Sequence, residues 1–199
     1  MMHQSKSKQT TKKTNHSSGI VRIIGGSMRG RKIRFSGAEG LRPTLDRVRE
    51  TLFNWLARDI AGSQCLDLFA GSGALGFEAV SRGAEMVTMV EKNRKVAEAL
   101  KSNCQLLDTK AARVINLEAG KFLSTNQEKF DLVFLDPPFG KGLLSQIIDA
   151  LIPNLKPDAL IYIEQEKSQQ QFVPDNRFEM LKHKTTGSFS YSLYQLNDR

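Results

Sequence analysis

Short apolar segments recur along this chain and are separated by segments in which apolar residues return every three or four positions. Strands buried on both faces of a parallel sheet have such short apolar runs, and the longer period is that of amphipathic helices. The pattern therefore predicts strand and helix in alternation, closed by an antiparallel pair around Thr186-Gly187. The predicted strands are 65–69, 86–90, 113–117, 130–134, 159–164, 177–184 and 188–196.

The N-terminal quarter has a different pattern. Residues 1–18 are polar and contain too little apolar surface to form a core, so we expect a disordered basic arm. Segments 20–24 and 32–35 predict a small hairpin around a glycine-containing loop, and a helix follows with Thr44 as its N-cap. These features divide the chain into the arm, a β-hairpin extension at 19–43 and a main domain at 44–199.

The positive charge is concentrated in the same quarter. The whole chain has a net charge of +8. Residues 1–49 hold twelve lysines and arginines against Glu39 and Asp46, a net charge of +10, so the rest of the chain is slightly acidic. A localised basic excess is the electrostatic signature of a nucleic-acid-binding protein. A solubilising tail is the alternative for the lysines of the arm.

Arginines flank the hairpin loop and the start of the predicted helix. A glycine-rich loop lets the backbone approach a phosphate closely, and the arginine fork matches phosphate oxygens. The start of a helix also favours anions. We therefore expect nucleic-acid phosphates at Arg29, Arg31, Lys32, Arg42 and Arg47, with Arg49 close to the substrate as well. Alternatively, the glycines serve only the turns of the hairpin.

A glycine-rich turn joins the first strand of the main domain to a helix. Gly71, Gly73 and Gly76 follow the strand 65–69, and such glycines let the backbone turn tightly and approach a bound ligand. The spacing is also that of dinucleotide-binding loops, so an NAD site has to be considered. The lysine and hydroxyl residue of a nucleotide-phosphate loop are missing from this motif.

Acidic residues stand where several predicted strands end, the edge at which open α/β sheets bind ligands. Glu91 ends the second strand and can accept both hydroxyls of a ribose; alternatively, it is an N-terminal charge of the next helix. Asp136-Pro137-Pro138-Phe139 ends the fourth, where prolines stop the strand and stiffen the loop. A plain Pro-Pro turn with a surface aspartate is the other interpretation of that segment.

Composition narrows the class of protein. The chain has 199 residues, of which 40% are hydrophobic, as in a globular protein with a core. No apolar run reaches the roughly 18 residues that span a bilayer, and the N-terminus lacks a signal-peptide core, so we expect a cytoplasmic protein. Cys65 and Cys104 lack the spacing of zinc ligands, so neither a metal site nor a disulfide is expected.

These motifs together resemble the RsmD family of class I S-adenosylmethionine-dependent methyltransferases. The resemblance covers about residues 20–196, and the block at 46–56 is its most family-specific part. It is carried by the segments 22–26 (RIIGG), 29–32 (RGRK), 41–44 (LRPT), 46–56 (DRVRETLFNWL), 66–76 (LDLFAGSGALG) and 136–139 (DPPF).

The resemblance implies an α/β Rossmann-like fold, with a seven-stranded, mostly parallel sheet in the order 3-2-1-4-5-7-6 and a small N-terminal hairpin extension. It implies methyl transfer from S-adenosyl-L-methionine to the exocyclic N2 of a guanine in bacterial 16S ribosomal RNA, guanine 966 in the family. The implied partner is 16S rRNA or the 30S subunit, including an assembly intermediate. We expect a monomer that needs neither a metal nor a membrane.

The site residues follow from the resemblance and from the chemistry of an amino group. Asp136 and the carbonyl of Pro137 can accept its two hydrogens, and Phe139 can stack on a base swung out of the RNA. By resemblance, the donor contacts the glycine turn and the acidic strand ends. Its predicted contacts are Asp67, Phe69, Ala70, Gly71, Ser72, Gly73, Glu91, Lys92, Glu118, Ala119 and Asp136.

Three alternatives stay open at this point. An adenine-N6 DNA methyltransferase or a protein-glutamine methyltransferase uses a similar Pro-Pro-aromatic loop. An RNA-binding module with a vestigial site would keep the basic quarter and lack donor binding. An NAD dehydrogenase would need a histidine or tyrosine for hydride transfer, and no such constellation accompanies the glycines.

Overall fold

The computed structural model describes residues 19–35, 45–138, 142–167, 174–187 and 189–197. The basic arm at 1–18, Arg42, Thr44 and Phe139 lie outside the described residues. Of the predictions made for them, the structure tests only the helix start expected after Thr44, because that start falls on described residues. Within the described residues the chain forms two sheets and five α-helices.

The strands alternate with helices through the main domain, as the hydrophobic pattern predicts. A short 3-10 helix at Ile152–Asn154 precedes β7. The helices are α1 (Asp46–Trp55), α2 (Ala74–Ser81), α3 (Arg94–Leu107), α4 (Ala119–Thr125) and α5 (Leu143–Leu151). The strands are β1 (Gly19–Arg22), β2 (Lys32–Phe35), β3 (Gln64–Asp67), β4 (Met86–Val90), β5 (Ala112–Ile115), β6 (Phe130–Leu135), β7 (Leu155–Glu166), β8 (Phe178–Thr186) and β9 (Phe189–Leu196).

The large sheet has the order β5-β4-β3-β6-β7-β9-β8. Its first five strands pair in parallel, whereas β9 pairs antiparallel with both β7 and β8. Numbered within this sheet alone, the order is 3-2-1-4-5-7-6, so the predicted fold and strand order are confirmed. The order reverses between β3 and β6, and an open α/β sheet binds its ligands at such a switch point.

The two faces of the sheet bury separate apolar clusters. One cluster unites Phe134 and Tyr162 of the sheet with the hairpin, α1, α2 and α3. The other unites Leu135 and Ile163 with α4 and α5. Because neighbouring residues of a strand face opposite ways, Asp136 and Glu164 lie on the face covered by α1 and the hairpin.

The hairpin is fastened to α2 rather than standing free. Gly26 has φ +73°, and a Cβ there would overlap the carbonyl oxygen of Ser81. The amide of Ser27 donates to that same carbonyl at 2.7 Å. The glycine pair therefore serves close packing against α2, so phosphate binding by this part of the loop is not supported by its geometry.

Three local features differ from the prediction. Helix α1 begins at Asp46 with Leu45 as its N-cap, one residue later than expected from a Thr44 cap, and Leu45 is exposed. The helix α4 was not predicted. Strand β7 begins at Leu155, four residues before the predicted start, because its first part pairs irregularly with β6.

Candidate active site

The glycine turn lies between β3 and α2, at the carboxyl end of the sheet. Gly71 and Gly73 have φ values of +49° and +77°, a region that L-residues rarely adopt. A Cβ at Gly73 would also lie 2.6 Å from Leu100 and 2.7 Å from Phe77. Both the backbone conformation and the lack of space therefore require glycine at position 73. Within the turn, Ala70 and Ser72 are buried and Phe69 is partly buried.

Asp67 is buried beneath this turn and supports it. Its Oδ2 accepts a hydrogen bond from the amide of Gly76 at 3.1 Å, and only 2% of the residue is exposed. Burial, followed by the neighbouring charge of Asp136, raises the pKa of Asp67 from 3.8 to about 7. No lysine or arginine pairs with Asp67 among the residues that the structure describes.

Glu91 joins the glycine turn to the start of α3. One carboxylate oxygen accepts the amide of Gly71 at 3.1 Å, and the other accepts the amide of Asn93 at 2.7 Å. Asn93 is the N-cap of α3. The side chain thus has the helix-start role of the alternative interpretation, and it is partly exposed beside the turn. Lys92 beside it is exposed.

Glu118 and Ala119 stand at the start of α4. Glu118 is its N-cap, and the side chain accepts the amide of Lys121 at 3.0 Å. Glu118 is exposed, whereas Ala119 is buried. The helix start explains the acid at this position, and it places the backbone of both residues next to the ends of β4 and β5.

Asp136 and Pro137 directly follow β6, next to β3 in the sheet. Asp136 is partly buried, Pro137 is buried and Pro138 is exposed. The charge of Asp136 acts on both Asp67 and Glu164, so the three carboxyl groups are close neighbours. The structure therefore brings Asp67, Gly71, Glu91 and Asp136 to one edge of the sheet, as the sequence predicted from separate motifs.

Glu164 belongs to this edge and was not predicted as a site residue. It lies near the end of β7 with 5% of the residue exposed, and it accepts a hydrogen bond from the hydroxyl of Tyr162 at 2.9 Å. Burial and the charge of Asp136 raise the pKa of Glu164 from 4.5 to about 8. An acid at the end of a strand was the signal that identified Glu91 and Asp136, and it applied here too.

The predicted RNA contacts differ in their surroundings. Arg29, Lys32 and Arg47 are exposed. The Arg31 guanidinium donates to the carbonyls of Leu106 and Leu107 at the end of α3, although the residue is exposed. The exposed face of the hairpin adds Arg22 and Arg34 to Lys32, since Val21 and Ile33 pair on its buried side.

Arg49 does not meet a substrate, contrary to the expectation. It is completely buried and donates to the carbonyl of Arg22 at 2.9 Å and to Asp46 at 2.6 Å. A second contact joins it to Glu78 of α2, at 3.8 Å. Arg49 therefore fastens α1 to the hairpin and to α2.

Two further observations concern membrane spans and metal sites. No helix among the described residues is long and apolar enough to cross a bilayer. The described histidines, cysteines and carboxylates form no cluster of three that suits a metal ion.

The carboxyl groups at this edge of the sheet favour a particular kind of ligand. Three carboxyl groups meet at the switch point beside a glycine turn, and at least Asp67 and Glu164 lack a cationic partner among the described residues. A cationic ligand that carries a ribose suits these groups, which is the chemistry of S-adenosylmethionine. The fold and this edge define an S-adenosylmethionine-dependent methyltransferase of the Rossmann-like class.

Comparison with known proteins identifies the family. Residues 21–195 match the family model described as "Conserved hypothetical protein 95". The "Ribosomal RNA small subunit methyltransferase D" of Haemophilus influenzae is 53% identical over 188 residues, which cover 92% of this chain and 97% of that protein. A solved structure, the "Putative methyltransferase yhhF from Escherichia coli", is 47% identical with a TM-score of 0.82 and covers 91% of this chain and 100% of that one. The chain belongs to this family, the RsmD family of methyltransferases.

Proposed function

We propose that this protein methylates the exocyclic N2 of a guanine in 16S ribosomal RNA, and that the target is the guanine 966 of the family resemblance. Methylation of small-subunit rRNA is supported by the names of relatives that share about half of the sequence. The choice of an amino group is supported by one observation above all. Asp136 and Pro137 directly follow β6 beside the acids that suit the donor, and in the proposal their carboxylate and carbonyl face the incoming amino group.

S-adenosylmethionine supplies an activated methyl group on a positively charged sulfur. In the proposal, the turn from Phe69 to Gly73 receives its amino-acid part, Glu91 holds the ribose, and Glu118 and Ala119 lie beside the adenine. Lys92 is at the rim of this site. In the proposal, Asp67 supports the glycine turn from beneath, because its carboxyl group already accepts a hydrogen bond from the amide of Gly76.

The protein's part in the transfer is mostly orientation. The lone pair of the guanine N2 is shared with the ring, so the amino group is a poor nucleophile. Asp136 and the carbonyl of Pro137 accept its two hydrogens, which directs the lone pair out of the ring plane. Holding reactants in line in this way contributes several kcal/mol to a transfer reaction.

Asp136 then accepts the proton that the methylated nitrogen releases, and solvent removes it. Phe139 is proposed to stack on the flipped base.

We expect the RNA to cross the basic face of the hairpin and the start of α1. The exposed cations there are Arg22, Arg29, Lys32, Arg34 and Arg47. Replacing Arg29 and Lys32 together by alanine should weaken RNA binding and reduce the slope of log affinity against log salt by about one for each phosphate that is no longer neutralised. Fluorescence anisotropy over a salt series measures this slope. An unchanged slope would contradict the assignment, and Arg58→Ala, an exposed arginine near the end of α1, is the control.

The partner is proposed to be 16S rRNA or the 30S subunit, including an assembly intermediate, in the cytoplasm, with the enzyme acting as a monomer. Sedimentation of the protein alone and with subunit particles tests both statements.

The decisive experiment combines Asp136→Ala with mapping of the methylated nucleotide. We expect the variant to lose methyl transfer to 30S particles by at least about 100-fold, because the amino group is no longer oriented. Calorimetry should show that it still binds S-adenosylmethionine. Asp59→Ala removes an exposed aspartate remote from the glycine turn and serves as the control. Modification of DNA adenine or of a protein glutamine instead of rRNA would overturn the proposal, as would full activity of the Asp136 variant.

A further inference from the structure

A line of three polar side chains runs from the core to the edge of the sheet. The hydroxyl of Tyr162, which is fully buried, donates to Glu164 at 2.9 Å. Leu135 of β6 pairs with Ile163 of β7. Asp136, the first residue after β6, therefore lies beside Glu164 of β7, and both are on the face of the sheet that contains Tyr162.

The titratable groups around Glu164 explain its protonation. Asp136 faces it from β6, Tyr162 from its own strand, and Tyr191 is its pairing partner on β9. Helix α1 contributes the ring of Trp55, which packs on Tyr191 with 5.4 Å between centroids. Burial and the charge of Asp136 raise the pKa of Glu164 to about 8, and the Tyr162 hydrogen bond opposes this in part. Burial also raises the pKa of Tyr162, so its hydroxyl keeps the proton that it donates.

Two adjacent carboxyl groups in such surroundings hold one proton between them, because ionising both would place like charges side by side. The more buried member loses more hydration when it is charged. Glu164 is 5% exposed, whereas Asp136 is more exposed. The arrangement therefore favours the proton on Glu164 and the charge on Asp136.

We propose that Glu164 is a positioning residue that carries the shared proton, and that this neutral carboxyl, fixed by Tyr162, keeps Asp136 ionised and oriented toward the incoming amino group. The inference rests on the proposed function, because it takes Asp136 as the group that accepts the amino hydrogens. Glu164 keeps its own proton throughout the cycle. The proton from the methylated nitrogen goes to Asp136 and from there to solvent.

The kinetic test compares two substitutions of the same side chain. Glu164→Gln resembles the neutral carboxyl, since its oxygen can accept from Tyr162 and its amide can donate to Asp136. We expect its kcat at pH 7 to be within about threefold of the wild-type value, and that of Glu164→Ala to fall at least about tenfold.

The pH profile separates this role from a merely structural one. The protonated form is the active one, so wild-type activity should decline as the pH rises through about 8. Glu164→Gln has no proton to lose there and should lack the decline, whereas the control Glu166→Gln should keep it. Three results would each overturn the inference: a Gln variant as inactive as the Ala variant, the same alkaline decline in the Gln variant, or a wild type without any decline.

A second measurement needs no turnover and so separates this inference from the proposed function. In protein labelled with ¹³C at the glutamate carboxyls, the signal missing from Glu164→Gln identifies Glu164. Its titration midpoint should lie well above that of an ordinary glutamate and should fall in Asp136→Asn, where the neighbouring charge is gone. An ordinary midpoint, or one that ignores the Asp136 substitution, would refute the shared proton even if rRNA methylation were established. The predicted shifts would stand even if another substrate were found.

Discussion

The buried carboxyl group of Glu78 and those at the strand edge differ in whether basic side chains are paired with them. Glu78 of α2 is completely buried and receives the Nε of Arg82 at 2.8 Å and the amides of Ile24 and Gly25 at 2.8 Å each. Arg49, also completely buried, lies 3.8 Å from it. At the strand edge, Asp67 and Glu164 are nearly as buried but are paired with no lysine or arginine among the described residues.

The difference indicates a structural role for Glu78 and a ligand-binding role for the strand edge. Around Glu78, acidic and basic side chains are paired inside the protein, although Nε and Nη1 of Arg49 make no hydrogen bond. The groups that contact Glu78 belong to the hairpin, α1 and α2. This Glu78 node holds the predicted RNA-binding extension on the main domain. At the strand edge, Asp67 and Glu164 have no lysine or arginine partner among the described residues, and burial together with the charge of Asp136 raises the pKa of each. A cationic ligand would favour the ionised form of Asp67, so the surroundings of this carboxyl group suit ligand binding rather than stability.

The largest effect that would test this comparison is expected from Glu78→Ala. The substitution leaves Arg49 buried without its carboxylate partner on α2 and removes the acceptor of two hairpin amides. Breaking a buried ion pair from one side costs about 3–5 kcal/mol, so the free energy of unfolding in urea should fall by that amount.

Glu98→Ala is the matched control for that prediction. Glu98 pairs with Arg94 on one helix, with side chains that are 60% and 85% exposed. An exposed pair of this kind contributes less than about 1 kcal/mol. If the two variants lost similar stability, the Glu78 node would not be the fastening that its geometry indicates.

The sequence was informative where a pattern is local. The order of strands and helices followed from the period of apolar residues, and the acids at the ends of β4 and β6 were recognised from the strands that precede them. The helix α4 was missed because seven residues give too few turns for the period to be counted. Glu118 was therefore predicted only as an adenine contact, and its role as the N-cap of α4 was not seen.

Arg49 shows what a local pattern leaves out. A charged residue near a helix start is usually solvated, and so it was grouped with Arg42 and Arg47. It lies three and four positions before the buried Leu52 and Phe53, so the helix period turns it inward. Its partner Glu78 is 29 positions further along the chain. Only the tertiary structure brings these two residues together. Glu164, in contrast, carried the same strand-end signal as Asp136 and could have been included.

Asp67→Asn gives a smaller effect and tests the other half of the comparison. The pKa of Asp67 is raised in the folded protein, from 3.8 to about 7, so folding favours the protonated form. Its contribution is fully present below pH 3.8 and is lost as the pH rises through about 7. Wild-type stability should therefore fall relative to that of Asp67→Asn by about 2 kcal/mol between pH 5 and pH 8, measured by urea unfolding without ligand.

The control Asp59→Asn should not change the pH dependence. Saturating S-adenosylmethionine should reduce the wild-type loss, because a bound cation favours the ionised carboxylate. Parallel curves for the wild type and Asp67→Asn would mean that Asp67 is as well compensated as Glu78, and the contrast between the two regions would not hold.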